Sequence, residues 1–180
     1  MARSRSKRVA LCGVICALSV VLMLSGSIIP CATFCAPALA GAMLMVVAME
    51  CGMRLAWMCY GAISVLSVLL VPDKELALFF VFLFGHYPLL KAHLQRMHCK
   101  PLAWLCKAAV FNLAVVAVYG LLLFVLPMPG LVEEFAQTQS WLLAVLLALG
   151  NLCFFVYDAA LLSVLQMYVL RIKPRIRHLL

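Results

Sequence analysis

Charged side chains are scarce in this sequence: Asp, Glu, Lys and Arg make up 11% of its 180 residues, and 6 of them are acidic. None at all occurs from Val9 to Met49. A soluble domain of this length has too little interior to hide a chain that is 68% hydrophobic, so that class is excluded. Signatures of catalysis are missing as well. There is no GxSxG, no HExxH, no phosphate-binding loop and no pair of carboxylates within the apolar runs. The nine cysteines form no CxxC and no Cys/His set with zinc-ligand spacing, so no metal or other cofactor is expected. Cys12 and Cys16, one helical turn apart, read as small apolar packing residues. Cys31 and Cys35 are similarly spaced and keep a chance of pairing.

What is present is apolar length. Mean hydropathy is +1.17, and at about 20 residues per span the chain accommodates about six membrane helices with little left over. The net charge of +8 sits at helix ends, where anionic headgroups and the excess of cytoplasmic Lys and Arg account for it, so nucleic acid is not expected as a partner. The central marker is Leu76 to Lys100, LALFFVFLFGHYPLLKAHLQRMHCK, an apolar run that ends in Lys91, Arg96 and Lys100. It reads as a helix whose far end stops on the cytoplasmic side.

Counting outward from it gives an all-α membrane protein, a compact bundle of six transmembrane helices with both termini cytoplasmic. Residues 1–8 form a basic arm, 9–170 the transmembrane domain and 171–180 a basic tail. The helices are expected at about Val9–Ile29, Thr33–Met49, Leu55–Val71, Leu76–Leu90, Leu102–Leu126 and Trp141–Leu170. Ser25, Gly26, Ser27 and Pro30 divide the first two. Gly52, Pro72-Asp73-Lys74-Glu75 and Pro127-Met128-Pro129-Gly130 mark later turns. Leu131 to Ser140, with Glu133 and Glu134, is the longest outer loop. This layout puts the arm, Arg54, Lys91, Arg96, Lys100 and the tail inside, and only Lys74 outside. Ala38-Leu39-Ala40 imitates a signal-peptide cleavage site, but the preceding apolar stretch is longer than such signals have.

Polar groups within the bilayer need a partner or a task. Lys107 lies about 8 Å into its helix at 1.5 Å per residue, and Asp158 falls at a similar depth in the last one. Either can snorkel, but an ion pair between these helices would satisfy both, with a coupling role as the further option. Pro88 should loosen the end of the fourth helix beside Gly85, His86 and Tyr87 and free a carbonyl. Asn112, Tyr119 and Asn151, with Tyr60 on the third helix and Thr33 at the first outer turn, are candidates to line a ligand cavity that opens outward. The plainer account is that such groups tie helices together by hydrogen bonds.

The length, the basic ends and the stretches RVALCGVICALSVVLMLSGSIIP and LFFVFLFGHYPLLK together resemble the substrate-capture (S) components of energy-coupling factor (ECF) transporters. The resemblance implies capture of a small molecule, such as a vitamin or its precursor, from outside the cell. Turns near Thr33, Asp73 and Glu133 would surround it. It also implies partners: a shared transmembrane subunit and two ATPase subunits. Members often carry an alanine-x-x-x-alanine pattern in helix 1 for docking on the shared transmembrane subunit. Here Gly13 and Ala17 supply small-xxx-small spacing, whereas Ala10 is followed four residues later by Val14. Two other readings stand beside it. One is a non-transporting scaffold similar to the rod-shape protein MreD. The other is a small membrane enzyme acting on lipid substrates through His86, Lys91 or Asp158.

Overall fold

The computed structural model describes residues 2–29, 32–94, 100–124, 139–168 and 170. It is all-α, with no strand among the described residues. Helix α1 spans Ala2–Gly26, α2 Cys35–Glu50, α3 Met53–Leu70, α4 Lys74–Phe79, α5 Tyr87–Leu94, α6 Lys100–Phe124 and α7 Ser140–Met167. A π-helical segment, Phe80–Phe84, joins α4 to the turn before α5. Four stretches are long and apolar enough to cross a membrane: Ser6–Gly26, Met53–Leu70, Trp104–Leu123 and Trp141–Met167. Helix α2 has 16 residues and is shorter than these.

Helix α1 begins at Ala2, so the basic N-terminal segment is helical. One expectation changes. The fourth helix, expected over about Leu76–Leu90 with only its last turn loosened, is divided into α4, the π turn and α5. The break has a covalent cause. Pro88 has no N–H to offer the Phe84 carbonyl four residues earlier, so a regular ladder cannot run through this point. Gly85 N–H instead reaches back five residues to Phe80 O at 2.7 Å.

Local chemistry explains the other ends. At the close of α1, the Ser25 and Ser27 hydroxyls donate to Leu22 O and Leu24 O, each at 2.8 Å. Gly52 turns the chain between α2 and α3 with φ 97°, in the left-handed region that glycine enters without strain. Asp73 caps α4 by accepting from Leu76 N–H at 3.2 Å. Lys74 Nζ donates to Val68 O and Val71 O at 2.9 and 3.0 Å, which satisfies carbonyls at the end of α3.

The chain from Lys74 to Leu94 occupies the middle of the bundle. One core forms where α1, α2 and α3 meet, around Met23, Leu44, Val47, Ala56 and Ile63. A second forms among the middle segment, α6 and α7, around Phe111, Val118, Leu122, Phe154 and Leu161. The middle segment feeds both: Leu76, Ala77, Phe80 and Leu89 enter the first, while Leu78, Phe79, Leu83, Phe84 and Tyr87 enter the second. Its run Leu76–Phe84, apolar on every side, belongs in such a place. Contact with α2 is intimate, because a Cβ added to Gly41 would lie 2.0 Å from Phe84 O. The long helices present their other faces outward, as Val14 and Val21 on α1, Leu113 and Val116 on α6 and Leu152 and Val156 on α7 illustrate. Exposed aliphatic stripes of this kind are the surface a bilayer solvates.

Candidate functional site

The strongest concentration of charge inside the bundle lies where α5, α6 and α7 approach one another. Tyr87 and Lys91 are four residues apart on α5 and therefore share a face. Lys107 comes from α6 and Asp158 from α7. Lys91 Nζ lies 2.6 Å from Asp158 Oδ1, and Lys107 Nζ lies 2.7 Å from Asp158 Oδ2. Tyr87 donates its phenolic O–H to Asp158 Oδ1 at 2.5 Å, and Lys91 also donates to the Asp158 backbone carbonyl. One carboxylate thus gathers three donor side chains from two neighbouring helices.

Burial gives these contacts their strength. Lys91 is fully buried, and the Lys107 and Asp158 side chains retain 13% and 11% of their exposure. Aromatic rings pack around the group. Tyr87 meets Phe154 edge-on at 4.7 Å between centroids, Phe154 stacks on Phe111 at 5.1 Å, and Trp104 stacks on Phe155 at 4.7 Å. In such low-dielectric surroundings a charge-assisted hydrogen bond is strong, and an unpaired charge is correspondingly costly. The arrangement can lock three helices, or it can release them if the carboxylate is neutralised.

The residues expected to bind ligand have definite partners in the structure. Asn112 and Asn151 exchange amide hydrogen bonds at 3.1 and 3.3 Å. Each also donates to the carbonyl one turn back in its own helix, Ala108 O at 2.8 Å and Leu147 O at 2.9 Å. Tyr60 donates to Val81 O at 2.7 Å, a carbonyl within the π segment that His86 Nδ1 also approaches at 3.4 Å. Tyr119 donates to Glu75 Oε1 at 2.8 Å. Tyr60 packs against the first core and Tyr119 against the second, so the two serve different sides of the molecule. Thr33 lies half-buried in the turn between α1 and α2. Of the turn residues proposed to surround a ligand, Glu133 lies outside the described residues. So does Cys31, while Cys35 is a free, exposed thiol.

Gly13 and Ala17 are exposed on α1, and open space surrounds the position where a Gly13 Cβ would stand. Val9, Val14, Leu18 and Val21 flank them on the same outward surface.

Lys91 is the residue that sequence reasoning placed elsewhere, in a basic segment at the cytoplasmic end. The structure buries it instead, so it is no part of a solvated charge run. Its signal was present: Tyr87 and Lys91 have helical spacing, and Leu89, Leu90 and Ala92 surround the lysine. Comparison with protein-family models, with curated proteins and with solved structures finds no match for this chain.

Proposed function

We propose that the chain is a small polytopic membrane subunit that works through a larger membrane partner. In its specific form it is the substrate-binding subunit of an ECF-type importer that takes up a vitamin-like small molecule. The observation that supports a partner is the outward face of α1. Gly13 and Ala17 form a shallow step between exposed Val14, Leu18 and Val21, and small residues of this spacing let a second helix approach closely within lipid. In this reading α2 and the α4–α5 segment cross the membrane with the four longer helices. That gives six spans in the bacterial cytoplasmic membrane, with both termini in the cytoplasm. Energy for uptake comes from two ATPase subunits acting through the shared transmembrane subunit.

A second reading has its own observation. Asn112, Asn151, Tyr60 and Tyr119 direct their polar groups at other parts of the protein. This is what a non-transporting scaffold, assembled through partners and without ligand affinity, requires. No enzymatic role is proposed.

Affinity purification of the tagged protein from its native membranes, in mild detergent, separates the readings. Recovery of a larger membrane subunit with two ATPases, lost on Gly13→Leu substitution, is expected for the importer. Recovery of cell-wall or cytoskeletal proteins favours the scaffold. A protein that emerges alone overturns both.

A further inference from the structure

The charge balance around Asp158 is incomplete. Two ammonium groups meet one carboxylate, which leaves one positive charge without an acidic partner among the described residues. The other described acidic side chains are engaged elsewhere. Glu50 accepts from Tyr168 at 3.1 Å, Glu75 accepts from Tyr119, and Asp73 caps α4. An uncompensated charge in a membrane interior is expensive, and the usual remedy is a counter-ion.

The two lysines are not equivalent. Lys91 is sealed, with its ammonium shared between the Asp158 carboxylate and backbone carbonyl. Lys107 is the one that reaches the surface. An ammonium has three N–H donors, and Asp158 Oδ2 takes one of those on Lys107. Nearby on α6, one turn away, Trp104 is exposed and stacks on Phe155 of α7. A tryptophan beside a lysine on a lipid-facing helix is the pairing found at headgroup level.

We propose that Lys107 forms an anion-binding site, in which one phosphate group docks beside Trp104 and balances the second ammonium group, which has no carboxylate of its own among the described residues. A phosphodiester is the abundant anion at the edge of a bilayer, and a single ammonium binds it as a point charge. The site is independent of which partner meets α1. A lipid headgroup and free phosphate share this chemistry.

The test uses the full chain in neutral detergent micelles, with phosphatidylglycerol, phosphatidylcholine or inorganic phosphate added in turn. Native mass spectrometry counts retained lipid, and acetylation followed by peptide mapping reports access to Lys107. One phosphatidylglycerol is expected per wild-type chain, with Lys107 acetylation reduced about fivefold, the factor expected for one lysine–headgroup contact. Phosphatidylcholine should do neither. Protection by inorganic phosphate as well would make free phosphate a ligand; protection by the lipid alone would assign the headgroup. Lys91→Met and Lys107→Gln each leave one cation facing one carboxylate, and both should lose the retained lipid. Lys74→Gln, at the distant α3–α4 turn, should keep it. Equal retention in all four proteins overturns the proposal, as does equal loss in Lys74→Gln and Lys107→Gln. The wild-type acetylation measurement decides the matter even where a variant fails to fold. Unchanged labelling of Lys107 in the presence of phosphatidylglycerol and phosphate also overturns it.

Discussion

The two halves of the bundle are held together by different chemistry. Where α1, α2 and α3 meet, alanine, cysteine and methionine pack among aliphatic side chains. A Cβ added to Gly26 would lie 2.3 Å from the Ala36 Cβ, so the helices nearly touch. Cys12, Cys51 and Cys59 lie in this core with Cys16 packed against it, and the Ser67 hydroxyl contacts Met23 Sδ at 3.2 Å. The half built from α5, α6 and α7 instead uses a carboxylate with two lysines, a reciprocal asparagine pair and stacked aromatic rings. Lipid removes most of the hydrophobic drive between helices. Close backbone approach can replace it through dispersion. Helices that carry bulky side chains cannot approach so closely, and directional polar bonds take over.

This contrast can be broken most severely at Asp158. Asp158→Ala leaves two ammonium groups without their carboxylate and should destabilise the protein by about 3–5 kcal/mol, read as a lowered unfolding midpoint in detergent. A midpoint within error of wild type would show that the cluster is peripheral. Next in size is Gly41→Ala, whose methyl group would meet the Phe84 carbonyl. A backbone atom cannot step aside like the end of a side chain, so a loss of about 1–3 kcal/mol is expected in the same assay.

The comparison sharpens with smaller changes. A double-mutant cycle on Asn112→Leu and Asn151→Leu should return a coupling of about 0.6 kcal/mol, the usual worth of a hydrogen bond between membrane helices. Zero coupling would mean the amides prefer their own helix carbonyls. In the other half, Ser67→Ala should shift stability by less than about 0.5 kcal/mol, because the hydroxyl bonds mainly to Ile63 O in its own helix at 2.6 Å. A loss as large as that for Asp158→Ala would erase the distinction between the halves.

Part of the candidate site was legible before any coordinates. Lys107 and Asp158 stand out because a charge in an apolar run is rare, and their matched depths suggest a pair. Asn112 and Asn151 attract notice for the same reason. Whether such groups face a ligand or each other depends on how helices rotate about their axes. An amide that is useful to a ligand is equally useful to the neighbouring helix, and the structure chooses the neighbour.

Sequence by itself determined the class and the elements. Hydrophobic length excludes a soluble fold, and glycine, proline and serine divide the apolar runs near the observed ends, as at Ser25–Ser27, Gly52 and Pro72. These are local properties, fixed by backbone hydrogen bonding and by the size of each side chain. Pro88 also foretold a weak point, although not the π turn that forms before it. Only tertiary structure decided that Lys91 turns inward, that Tyr60 serves the Val81 carbonyl, and that Cys12, Cys16, Cys51 and Cys59 join one core. Such contacts join residues far apart in sequence, and a period of 3.6 residues says which side chains share a face but not what that face will meet.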